Sequence, residues 1–193
     1  LPAIVQAQTP PSTVKVAVIG PFTGPSADFG VPMLNGVKLA VEEINAVGGY
    51  LGRPLELVVR DDKGSPETGL AEAKSLIAAK VVAAIGFCNT GVAMAALPVF
   101  QENHIPLIVP CSTGTPLTRK YPTPESYIFR TSAPDAIQAP FVVEDLVKRR
   151  WTKVAIFADE TGYGEAGLAD VKKALAARQL EPVYVARFPL GVK

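Results

Sequence analysis

Residues 82–115 read VAAIGFCNTGVAMAALPVFQENHIPLIVPCSTGT, and their pattern decides the fold. From Val81 to Ile85 runs a short apolar segment of the kind that forms a strand buried on both faces. It closes on Gly86-Phe87-Cys88-Asn89-Thr90-Gly91, a turn of small and polar residues. The spacing then predicts a helix with Val92, Ala95, Ala96, Val99 and Phe100 as its apolar positions, kinked or shortened at Pro98. A second apolar strand, Leu107-Ile108-Val109, ends in Pro110-Cys111-Ser112-Thr113-Gly114-Thr115. In an open parallel sheet, small molecules are held just beyond the carboxyl ends of the strands. Two polar turns therefore fall where hydroxyls and backbone N–H groups can meet a carboxylate, and a turn entering a helix N-terminus favours that charge.

The alternation extends upstream. Val14 to Ile19 forms a strand, followed by a proline-containing loop from Gly20 to Gly30. That loop lacks both the G-x-G-x-x-G spacing of a dinucleotide site and a P-loop lysine, and it suits lining a cleft. A helix follows with Val37, Ala40, Val41, Ile44 and Val47 on one face, stopped by Gly48-Gly49. Leu55 to Val59 is the second strand, closing on Arg60-Asp61-Asp62. No further acid clusters with this pair, so it reads as a polar strand end and not as a metal site. Ser65-Pro66-Glu67-Thr68 carries a capping serine, a first-turn proline and a carboxylate, which together start a helix burying Leu70, Ala73, Leu76 and Ile77.

Downstream, Pro116 to Pro124 reads as a loop and Tyr127 to Arg130 as a strand. Thr131 to Asp135 breaks the pattern, and a domain crossing is expected there. A helix over 136–149 points Ala139, Val142, Val143, Leu146 and Val147 inward. A strand over 153–157, a helix burying Leu168, Val171 and Leu175, and a strand over 182–185 complete the chain. Seven strands alternating with five helices indicate an α/β fold with a doubly wound parallel sheet. The expected division is 1–13 as a leading segment, 14–133 as a first lobe and 134–193 as the start of a second, similar lobe.

Composition narrows the function. The 193 residues are 48% hydrophobic and carry a formal net charge of +1, which argues against nucleic acid or an anionic membrane surface as a partner. The one basic run, Lys148-Arg149-Arg150, sits where a helix ends and complements its dipole. Val5 and Ala7 stand at the spacing of a signal-peptidase site, so the opening residues read either as the tail of a secretory signal or as an ordinary terminus. Cys88 and Cys111 both lie in the two polar turns; they can pair in an exported protein if their strands are neighbours, and otherwise are two small thiols. With these two cysteines and His104 as the only histidine, no metal is expected, and no cofactor. His104 is expected at a helix end, and no Ser-His-Asp set forms unless it lies beside a serine.

Several segments together resemble a known family. Gly20-Pro21-Phe22-Thr23-Gly24, Glu42 to Gly49, Asp61-Asp62, Ile85-Gly86, Val109-Pro110, Phe129-Arg130-Thr131 and Asp159 to Gly164 occur in the order and spacing of periplasmic binding proteins of the leucine/isoleucine/valine-binding type. The match begins near Val14 and covers the amino-terminal half of such a protein. The resemblance implies a type I periplasmic-binding-protein fold, two lobes that close on a ligand like a clamshell. It implies a non-enzymatic, exported, periplasmic protein that captures a small amino acid for the membrane permease of an ABC importer. A sensor or receptor domain of the same fold, or binding of amides, urea or aromatic acids, stands as the alternative.

The resemblance also assigns roles. Thr90 matches a residue whose hydroxyl and N–H hold the amino-acid carboxylate, and Thr113 one that contacts both carboxylate and ammonium. Cys111 matches a position whose backbone carbonyl accepts from the ammonium. Phe29 and Tyr163 match aromatic residues that cover the ligand from the first and second lobes. Phe29 lacks the hydroxyl often found there, Gly91 and Val92 replace more polar residues, and the acidic partner of the ammonium is expected beyond Lys193.

Overall fold

The computed structural model describes residues 12–191, so the signal-peptidase spacing at Val5 and Ala7 lies outside the described residues. The elements are β1 (Val14–Gly20), α1 (Ala27–Ala46), β2 (Leu55–Asp61), α2 (Pro66–Ala78), β3 (Ala83–Gly86), α3 (Thr90–Glu102), β4 (Leu107–Val109), α4 (Pro116–Arg119), β5 (Ile128–Arg130), α5 (Asp135–Lys148), β6 (Ala155–Asp159), α6 (Gly162–Ala176) and β7 (Tyr184–Phe188). β1 to β5 make one parallel sheet in the order β2-β1-β3-β4-β5, and β6 pairs β7 in a second parallel sheet. The strand order reverses between β1 and β3. The loops leaving these two strands therefore diverge and open a crevice at the carboxyl edge of the sheet.

One face of the first sheet is closed by α2 and α3. Ala17, Ile19, Ala84, Leu107 and Val109 from the strands pack against Leu76 of α2 and Val92, Leu97 and Phe100 of α3, all buried. Phe100 meets Phe87 edge-on at 6.2 Å. Ser65 caps α2 by accepting from the Thr68 N–H, with Pro66 in the first turn. α3 runs through Pro98 to Glu102, without stopping at the proline as its sequence suggests. Burial of Val92, Leu97, Val99 and Phe100 along one helix outweighs the single backbone hydrogen bond that proline removes.

The opposite face departs from the expectation of strands buried on both sides. Val82, Ile108 and Phe129 are 55%, 40% and 48% exposed. The physical reason is coverage, since α1 lies over β1 and β2 and no described helix covers β4 and β5 on that side. α1 itself begins at Ala27, three residues before the loop was expected to end, and its stripe is only half covered, with Ile44 and Val47 exposed. Pro116 to Arg119 folds as the short helix α4 where a loop was expected, because Leu117 is buried against the core.

In the second sheet, α5 and α6 bring Ala139, Val143, Ala174 and Leu175 together, whereas Val142 faces outward, contrary to the expected stripe. The segment between the two sheets is held at several points. Ser132 donates to the Ser112 carbonyl at 3.0 Å, the Asp135 N–H to the Thr113 carbonyl at 2.9 Å, and Arg130 to the carbonyls of Thr113 and Gly114. Thr115 Oγ1 accepts from the Ala136 N–H and donates to Asp170 of α6 at 2.5 Å.

Candidate functional site

The crevice contains a cavity of about 340 Å³, lined by residues of both sheet units. The loops after β1, β3 and β4 supply Ser26, Cys88, Asn89, Cys111 and Thr113. The first turn of α1 supplies Phe29, and α3 starts at Thr90. The second unit supplies Asp159, Thr161, Tyr163 and Leu190. All five residues expected at the site, Phe29, Thr90, Cys111, Thr113 and Tyr163, thus line one cavity. Phe29, Tyr163 and Leu190 are its exposed members, and Thr90 is its deepest, only 2% exposed.

Two helix N-termini converge here. Thr90 opens α3, and Thr161 caps α6 by accepting from the Tyr163 N–H at 3.2 Å. The helices meet through glycines: a methyl placed on Gly162 would stand 2.8 Å from the Gly91 Cα. A Cβ at position 162 would block that approach, which brings the free N–H groups and positive dipole ends of two helices to one space. Thr90 is wedged by Gly114, where a Cβ would fall 2.3 Å from its Cγ2. Its buried Oγ1 has no hydrogen-bond partner among the described residues. A buried hydroxyl left unpaired costs about 1–3 kcal/mol, so a ligand acceptor placed beside it recovers that cost.

Among the described residues no lysine, arginine or histidine lines the cavity, and Asp159 is the one carboxylate that does. Asp159 Oδ1 accepts from the Thr161 N–H at 2.8 Å and from the Thr161 hydroxyl. An anion held here would rest on neutral donors and helix ends, while a cationic group would find the Asp159 carboxylate. Among the described residues no group of three or more His, Cys, Asp or Glu could hold a metal. His104 lies past the far end of α3, edge-on to Tyr127 at 5.1 Å, well removed from the cavity. The cavity therefore has polar groups for holding a charged small molecule and no histidine base for acting on one.

The paired aspartates act on the loops. Asp61 accepts from the N–H groups of Phe22, Thr23 and Lys63 and from the Thr23 hydroxyl, which fixes the first loop. Burial opposes its ionisation, but these hydrogen bonds prevail and hold its pKa below the usual value. Asp62 is fully buried and, among the described residues, accepts only from the Gly64 N–H and has no partner for Oδ2. Burial drives its pKa up to about 6, the Gly64 bond opposes this, and the Asp61 charge adds to the rise. Asn89 donates to Ser26 at 3.0 Å and ties the first loop to the start of α3.

Ser26, Asn89, Asp159, Thr161 and Leu190 were not singled out in the sequence as site residues. Thr161 carried a usable signal, a threonine immediately before a helix and at the end of a strand. Ser26 and Asn89 carried none, because their joint position depends on loops 63 residues apart.

The sequence matches a family described as periplasmic binding protein over residues 13–193. It is 35% identical over 162 residues to Leu/Ile/Val-binding protein homolog 3 of Brucella melitensis, an alignment covering 83% of this chain and 43% of that protein. The chain thus spans less than half the length of this relative. Its fold superposes on the branched-chain amino acid transporter substrate binding protein LivJ of Streptococcus pneumoniae in complex with isoleucine, with TM-score 0.81, 26% identity, and 94% and 51% of the two chains covered. It likewise superposes on a solute binding protein of an ABC transporter from Rhodopseudomonas palustris in complex with 3,4-dihydroxy benzoic acid, with TM-score 0.80, 30% identity, and 92% and 48% covered.

Proposed function

Because the chain belongs to the periplasmic binding protein family, we propose that it serves an exported solute-binding protein that captures a small amino acid, branched-chain or related, for an ABC-type importer. The observation that carries this is the unpaired Thr90 hydroxyl, buried in the cavity where the N-termini of α3 and α6 meet. Thr90 and the adjoining N–H groups hold the ligand carboxylate. Thr113 adds a second hydroxyl, and the Cys111 carbonyl with Asp159 receives the ammonium. Phe29, Tyr163 and Leu190 cover the apolar side chain. Residues 14–133 act as one lobe and those from 134 onward begin the other, so the ligand sits between the two sheets. Neutral donors suit reversible capture, since no buried cation is left unpaired when the ligand leaves.

A second reading has a specific observation in its favour. The cavity presents two aromatic rings, and one similar protein is named with 3,4-dihydroxy benzoic acid bound. Isoleucine and that acid share a carboxylate and differ in the ammonium. Calorimetric titration of the purified protein with L-leucine, L-isoleucine, benzoate and L-leucinamide separates the readings. Amino-acid binding that is weakened when the carboxylate is amidated supports the proposal. Tight benzoate binding with no response to the amino acids transfers the site to aromatic acids. Preference for the amide over the acid refutes the carboxylate role of Thr90.

A further inference from the structure

We infer that Cys88 and Cys111 are a reversible dithiol–disulfide pair set into the cavity wall, oxidised by a low-molecular-mass disulfide such as oxidised glutathione. β3 and β4 are parallel neighbours, aligned at Ala84↔Leu107 and Ile85↔Ile108. Cys88 and Cys111 each stand three residues beyond the last aligned pair, so they leave the sheet side by side. Neighbouring strands lie about 4.8 Å apart, within the ~4.4–6.8 Å that a disulfide spans between Cα atoms. Both side chains are half-buried, both line the same cavity, and neither is bonded. The chain has two cysteines, so neither has a competing partner within it. Met33 Sδ lies 4.0 Å from Cys111 Sγ and packs a third sulfur against the pair.

The two thiols are not equivalent. Contact with Cys88 brings Cys111 down to about 7 against the effect of burial. The same contact, burial and the charges of Cys111 and Asp62 push Cys88 up. In the inferred exchange Cys111, the lower of the two, is the attacking thiolate and Cys88 the resolving thiol, and the reverse order yields the same disulfide. The Cys111 thiolate attacks one sulfur of oxidised glutathione, forms a mixed disulfide and expels one glutathione thiolate. Cys88 then loses its proton to solvent and attacks Cys111 Sγ, and the second glutathione thiolate departs. In balance, two protein thiols give up two protons and two electrons, and one oxidised glutathione becomes two reduced molecules. The new bond ties together the turns that carry Thr90 and Thr113 and removes both S–H groups from the cavity wall. Only this effect on the cavity rests on the carboxylate-binding reading above.

The test is to incubate the reduced protein with oxidised glutathione, quench with acid, and measure intact mass and thiol content. The wild type should lose two hydrogen masses, show no free thiol after denaturation, and revert fully with dithiothreitol. Cys88→Ser should accumulate a stable single glutathione adduct on Cys111. Cys111→Ser should react at least about tenfold more slowly, reflecting loss of the lower-pKa thiol. A wild-type product that remains a glutathione adduct or becomes a linked dimer overturns the pair, and equal rates for the two serine variants overturn the assignment of roles. Titration of the oxidised and reduced forms with L-leucine reads the cavity effect separately. A difference in affinity supports that effect, and identical isotherms with normal leucine binding remove it while leaving the disulfide standing.

Discussion

Replacing Asp62 by asparagine should flatten the pH dependence of stability between about pH 4 and pH 7. The carboxyl is fully buried at the end of β2, one oxygen bonded to the Gly64 N–H and the other unpartnered. Its folded pKa of about 6 stands above the unfolded reference of 3.8. The folded state thus favours the protonated form. The stability tied to that proton is fully present below the unfolded pKa and is lost as pH rises through the folded one. A gap of about two pH units, at 1.36 kcal/mol each, makes that loss about 3 kcal/mol. Asparagine keeps the acceptor for Gly64 and carries no titrating charge. Urea denaturation of both proteins, with thiols kept reduced, provides the assay. The two should have similar stability near pH 4, and the variant should be more stable near pH 7 by about 3 kcal/mol. Titrating groups distant from Asp62 are common to both proteins and cancel in the difference, while Asp61 and Cys88, which share a Coulomb interaction with Asp62, add a smaller contribution. A variant-minus-wild-type difference that stays constant with pH would refute the claim that burial raises the Asp62 pKa in the folded protein.

Thr90→Val should weaken binding of a carboxylate ligand by about 10- to 100-fold while leaving the empty protein as stable or slightly more so, because the hydroxyl it removes is buried and unpaired; calorimetry and thermal melts check the two halves. Gly162→Ala should destabilise by about 1–3 kcal/mol and disturb the amide signals at the start of α3, since its methyl meets the Gly91 Cα at 2.8 Å. Gly167→Ala on the same helix, where a Cβ meets nothing within 4 Å, should be neutral or stabilising in the same melts. Thr115→Val strips the Asp170 carboxylate and the Ala136 N–H of a shared partner, and should cost about 1–3 kcal/mol in urea denaturation with faster amide exchange in α5 and α6.

Local sequence made the parallel sheet legible, because the buried runs in β1, β3 and β4 each end in a polar turn, and those in β1 and β3 are followed by helical spacing. The positions of Thr90, Cys111 and Thr113 followed from that rule together with family resemblance, since the ends of adjacent parallel strands are adjacent in space. The exposure of Ile108 and Phe129 was not legible. Their side chains look like any core residue, and burial depends on which helix covers them. Val142 was misplaced inward for the same reason. Within the site, Thr161 and Asp159 reach the cavity only because Gly91 and Gly162 let α3 and α6 touch, a contact between residues 71 apart that no local pattern encodes. Asp61 shows the limit from another side. Its neighbour Asp62 suggested a polar strand end, but its hold on Phe22 and Thr23 joins loops 39 and 38 residues apart.

A ligand carboxylate is proposed to seat on Thr90 between the N-termini of α3 and α6. An amide-resolved NMR titration of the ¹⁵N-labelled protein with L-leucine and with L-leucinol, which keeps the amine and side chain but lacks the carboxylate, tests it most directly. The account predicts saturable shifts at Thr90, Gly91, Gly162 and Tyr163 with leucine, and their near absence with leucinol at equal concentration. Equal shifts with both compounds, or leucine-induced shifts confined to residues away from the starts of α3 and α6, would contradict it.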